Sequence, residues 1–195
     1  MTMAEIIILI ILGAIMLGTS KSFLRLGIKG MCAVAILAAL ASAGRTLFLS
    51  IPSVQPASFI IMICGAVLGN SAGFFCGIIT AFISSLFAGI GPWTIYQMFF
   101  WGIMGLLSYK PMNGKLYLRI TYGFIWGFIF GWGMNMWWFL AGMMPLTPET
   151  FAASCISSFS FDLAHALTNA GLILAFSGWG MRLLRRLPLT RGAIE

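Results

Sequence analysis

The feature that most constrains this chain is its series of long apolar runs. Seven follow one another, near residues 3–20, 30–50, 57–69, 71–90, 93–109, 117–141 and 152–181, separated by short polar breaks. A bilayer core about 30 Å thick needs about 20 apolar residues per crossing helix. The 57–69 run falls well short of that ruler and ends at Gly69, Asn70 and Ser71, residue types that favour a turn. Charged residues make up only 8% of the chain, against about 25% in a soluble domain. So few charges cannot cover a water-exposed surface, so the sequence predicts an all-α membrane protein. The first run lacks the basic flank and small-residue cleavage site of a secretion signal and is expected to persist as a helix.

Ten of the eleven basic residues lie between or after apolar runs. Lys21, Arg25 and Lys29 form one cluster, Lys110, Lys115 and Arg119 a second, and Arg182, Arg185, Arg186 and Arg191 a third. Alternating crossings put all three on one side, as expected for cytoplasmic loops. The N-terminus is then outside and the C-terminus cytoplasmic. This distribution also accounts for the net charge of +7 without nucleic acid as a partner. Cys32, Cys64, Cys76 and Cys155 all fall within apolar runs and form no C-x-x-C pair; they read as small core residues, with no disulfide framework.

The remaining basic residue, Arg45, lies inside the second run, six residues before the turn "IPSVQPASF". An arginine within a span costs about 2.5–3.5 kcal/mol on insertion scales and faces a partner or cavity, unless it snorkels to the headgroups. Its expected partner is Asp162. In "FDLAHALTNAG", Asp162, His165 and Asn169 stand at i, i+3 and i+7, on one helical face. Gln55 in the proline turn, Trp93, Thr94, Gln97 and Trp101 from "GPWTIYQMFFWG", and Asn135 from "GWGMNMWWFL" belong to the same leaflet. Together they describe an outward-facing pocket with aromatic walls and a few polar groups. The alternatives are an aromatic belt and a polar network that only ties helices together. No metal is expected, because no further ligand accompanies Asp162 and His165 at metal spacing. Ala35, Ala39 and Ala43 recur every fourth residue on the second helix, a spacing that lets another helix approach closely in lipid, within the bundle or from a partner.

Catalysis has little support. The chain has no H-E-x-x-H, G-x-S-x-G or P-loop signature, and three of its four acidic residues, Glu5, Glu149 and Glu195, sit near ends or loops.

The alanine-spaced helix ending in Gly44-Arg45, then "PSVQP", "GPWTIYQMFFWG" and "FDLAHALTN", resembles the S-components of energy-coupling factor (ECF) vitamin transporters over residues 30–182. The resemblance implies a six-helix substrate-binding core at 30–182, preceded by an extra helix and basic loop at 1–29 and followed by a basic tail at 183–195. It implies capture of a vitamin from outside a prokaryotic cell, a transmembrane coupling subunit docking on Ala35, Ala39 and Ala43, and ATP hydrolysis by two cytosolic ATPases. Arg45, Gln55, Trp93, Thr94, Gln97, Trp101, Asn135, Asp162, His165 and Asn169 become the candidate substrate contacts, with no cofactor. The "PSVQP" and "GPWT" segments are most similar to the cobalamin-associated branch. Competing readings are a non-catalytic membrane scaffold and a solitary ion-coupled carrier.

Overall fold

The computed structural model describes residues 2–188; Arg191 and Glu195 lie outside the described residues. The described residues form eight helices and no strand: α1 (Met3–Leu24), α2 (Gly27–Leu47), α3 (Ala57–Leu68), α4 (Asn70–Ala88), α5 (Trp93–Leu107), α6 (Tyr109–Asn113), α7 (Leu116–Leu140) and α8 (Pro148–Arg186). The protein is thus an all-α membrane protein. Each expected run became a helix, with α6 added after α5. Four helices, α1, α2, α4 and α8, are both long and apolar enough to cross a bilayer. The other three of the seven expected spans, α3, α5 and α7, fall outside that measure of length and hydropathy. At about 1.5 Å per residue, the 12 residues of α3 reach about 18 Å, and the 15 residues of α5 about 22 Å. The 25-residue α7 is long enough, but Trp, Tyr and Gly dilute its hydropathy.

Helix ends follow local chemistry. Thr2 and Glu5 make a capping box at α1, and Thr147 with Thr150 does the same at α8, where Pro148 occupies the first turn. Between α3 and α4 the chain reverses through Gly69 alone, at φ 96°, a backbone state that glycine adopts without a Cβ clash.

The bundle is built around α3. Ten of its 12 residues are buried, and α2, α4, α5 and α8 all pack on it. In lipid the hydrophobic effect does not drive helices together, so close packing must. Glycines permit it. Gly73 of α4 and Gly105 of α5 touch backbone to backbone, so that a Cβ on either would strike the other's carbonyl, and Gly65 of α3 joins them. α7 and α8 pair along their length, with Gly127 against the backbone of Ala166. α1 lies at the periphery, where Leu12 meets Phe74 and Ile78.

The bundle has two chemically distinct ends. At the basic end Arg185 donates to Asn113 Oδ1, Asn113 donates to the Ala66 carbonyl at 2.8 Å, and Arg119 to the Gly114 carbonyl at 3.0 Å. The second and third basic clusters therefore share one end, as the charge pattern predicts. Gly105→Ala should force α4 and α5 apart at a cost of about 1–3 kcal/mol, as overpacking does. Melting of the detergent-solubilised protein checks this, with Gly13→Ala as control, since no atom lies within 4 Å of a Cβ there.

Candidate functional site

Five helices bring polar side chains together at the end opposite the basic clusters. Arg45, near the end of α2, donates from Nη1 to Ser84 Oγ on α4 at 2.7 Å and to Gln97 Oε1 on α5 at 3.1 Å. The same Gln97 oxygen accepts from Ser85 at 3.2 Å. The guanidinium carbon lies 5.0 Å from the centroid of the Trp101 ring, within cation–π range. Trp101 is fully buried, and its indole N–H donates to Ser58 on α3 at 3.0 Å. Ser58 in turn bonds His165 Nε2 on α8 at 2.8 Å. Phe130 of α7 closes the group, stacked on Trp101 at 4.8 Å and meeting the His165 edge at 5.3 Å. One continuous chain of contacts therefore runs from Ser85 to His165 through Gln97, Arg45, Trp101 and Ser58.

The predicted Arg45–Asp162 ion pair does not form. Arg45 points between α4 and α5, whereas Asp162 faces α7, where a Cβ on Gly131 would run into its Oδ1. Its Oδ2 accepts from Ser158 at 2.7 Å, and Asn135 donates to Ser158 at 2.9 Å. The two charges are satisfied separately by neutral dipoles, which removes the need for a direct pair.

The remaining candidates have different settings. Asn169 is fully buried and donates to the Gly123 carbonyl at 3.1 Å. Thr94 accepts from the Gly91 amide at 3.2 Å at the start of α5, as a cap does. Trp93 packs against Trp137 at 5.6 Å. Gln55 is half-buried in the turn before α3. Sequence reasoning missed the serines that complete both networks. A signal was present: Ser84-Ser85 and Ser154, Ser157, Ser158 interrupt apolar runs at helical spacing.

A cavity of about 490 Å³ opens between α7 and α8 at this end, lined among others by Asn135, Trp138, Phe139, Ser154, Ser158 and Phe161. Asn135 and Ser158 both line the cavity, and Ser158 links it to Asp162. Arg45, Gln97, Trp101 and His165 do not line it; their bonds are made to one another inside the bundle. The single expected pocket thus resolves into a closed brace and an adjacent open cavity. Ala35, Ala39 and Ala43 are all exposed, while the neighbouring Ala38 and Ser42 are buried. The alanine stripe is therefore not used for packing within the bundle. Among the described residues no group of three or more metal-ligating side chains assembles.

Gln97→Leu should remove the acceptor shared by Arg45 and Ser85 and cost about 1–3 kcal/mol, as for an unsatisfied buried donor. A lowered melting temperature that Gln97→Glu restores at least in part checks this.

Residues 25–112, a little under half of the chain, match the family model described as "ECF-type riboflavin transporter, S component". No curated protein matches the chain. No solved structure matches it. From the approach to α2 through α6, the chain is similar to the S components of ECF-type transporters.

Proposed function

We propose that this chain is the substrate-specific membrane subunit of an ECF-type importer that captures a vitamin at the non-basic end of the bundle. The observation that carries this reading is the match of residues 25–112 to the riboflavin-type S component. Two structural features support it. The cavity between α7 and α8 combines three aromatic walls with an amide and hydroxyls, a lining suited to a flat heteroaromatic ring with a hydroxylated side chain. The alanine stripe on α2 is exposed and free for a helix of another subunit.

The substrate class is a planar vitamin of riboflavin's size. The sequence resemblance pointed instead to a cobalamin-like corrinoid, a molecule too large to be enclosed by 490 Å³. Asn135 and Ser158 would hydrogen-bond the ligand, and Asp162 would hold Ser158 in place. The brace from Ser85 to His165 would keep α2, α3, α4, α5 and α8 in fixed register beneath it. With the basic end in the cytoplasm of a prokaryotic cell, the C-terminus is inside and the cavity opens outward. A transmembrane coupling subunit would dock on Ala35, Ala39 and Ala43 and topple the loaded bundle, driven by two cytosolic ATPases. The chain itself would carry no enzymatic activity and no cofactor.

A ligand that binds only the folded state adds about 2.7 kcal/mol of stability at a hundredfold excess over its Kd. Riboflavin should therefore raise the melting temperature of the purified protein by several degrees, and cobalamin should not. The reverse outcome would return the assignment to a corrinoid; silence from both, with no co-purifying vitamin detected by mass spectrometry, would leave a scaffold. Asn135→Leu combined with Ser158→Ala should weaken binding at least tenfold while preserving the fold.

Ala39→Trp separates capture from delivery. It should leave the ligand-induced stabilisation intact and abolish uptake in cells that contain the coupling module. Uptake that persists in cells lacking the ATPases would indicate a carrier working alone.

A further inference from the structure

The basic end holds a second cavity, of about 460 Å³, which vitamin capture does not use. Thr19 and Ser22 of α1, Leu26, Gly69, Ser71 and Tyr109 are on its wall. We propose that it binds the phosphate headgroup of an anionic phospholipid, whose acyl chains lie along the seam between α1 and the α4–α5 pair.

Two helices present their N-termini here. Leu26 is the N-cap of α2 and Gly69 that of α4, and neither helix has a side-chain cap, in contrast to the threonine boxes of α1 and α8. Uncapped first-turn amides and the positive end of the helix dipole both favour an anion. Ser71 supplies an independent observation. It is only 7% exposed, it lines this cavity, and its hydroxyl has no hydrogen-bond partner among the described residues. A hydroxyl on a cavity wall with no protein partner is open to a bond from a ligand.

The charges around the cavity have one sign. Lys21 adjoins Ser22, Arg25 adjoins Leu26, Lys29 is in the first turns of α2, and Lys110 follows Tyr109. The acidic residues of the described chain, Glu5, Glu149 and Asp162, belong to other parts of the bundle. Clustered basic side chains beside a span attract anionic lipids by about 1 kcal/mol each. A lipid is favoured over a free anion because Leu26, Leu68 and Leu106 also line the wall and because α1 is barely covered by the bundle. An acyl chain can therefore lie alongside it. Bound there, the lipid would bridge α1 to the turn between α3 and α4.

Native mass spectrometry of the full chain tests the proposal, using detergent micelles doped with phosphatidylglycerol or with phosphatidylcholine of the same acyl chains. Phosphatidylglycerol should be retained at least tenfold more than phosphatidylcholine. Ser22→Leu, at an exposed site on α1, should reduce that retention at least tenfold and leave vitamin-induced stabilisation unchanged. Ser71→Leu should act likewise, and if it fails to fold, Ser22→Leu alone decides. Equal retention of the two lipids would overturn the proposal, as would an unaltered adduct in Ser22→Leu. Inorganic phosphate that stabilises the protein as well as phosphatidylglycerol does would also overturn it, by assigning the site to a soluble anion.

Discussion

A guanidinium carried into a membrane bundle must find dipoles there, and the way Arg45 does so organises the polar half of this protein. Its Nη1 reaches two helices at once, through Ser84 and Gln97, and its guanidinium carbon lies over a third group, the Trp101 indole. Trp101 can sit at that depth only because Ser58 accepts its N–H, and Ser58 then orients His165. Each member satisfies the next one's otherwise costly burial. Such networks are worth most when complete, because an unpaired polar group in a low dielectric is expensive. The brace therefore ties α2, α3, α4, α5 and α8 at one end, as the glycine contacts tie α3, α4 and α5 toward the other.

Much of the fold was legible because hydrocarbon imposes a length ruler and loops carry the charges. Gly69-Asn70-Ser71 ended a helix where expected, and the two later basic clusters met at one end through Arg185 and Asn113. The ruler marked α3 as short, and 12 residues suffice there because neighbours enclose the helix instead of lipid. Hydropathy records what a segment prefers and not what surrounds it.

The site was harder to read. Arg45, Gln97 and His165 were recognised as inward-facing because a strongly polar group in a greasy run has few alternatives. Their partners were not. Opposite charge suggested Asp162 for Arg45, yet serines do the work for both residues, and a serine in an apolar helix can also bond its own backbone, as Ser42 does to Ala38 at 2.7 Å. Spacing cannot separate those two uses. The alanine stripe shows the opposite case: small residues every fourth position permit both internal packing and external docking, and only the exposure of Ala35, Ala39 and Ala43 excludes the first.

The brevity of α3 has a geometric consequence for anything approaching from the non-basic side. A helix about 18 Å long, anchored at Gly69 near one face, starts well beneath the other. The proline segment leading into it, with half-buried Gln55 and Pro56, must then cover the remaining depth as non-helical chain. Ser58, Trp101 and His165 are buried at that end, so a solute arriving from this side would meet open space between α7 and α8 instead.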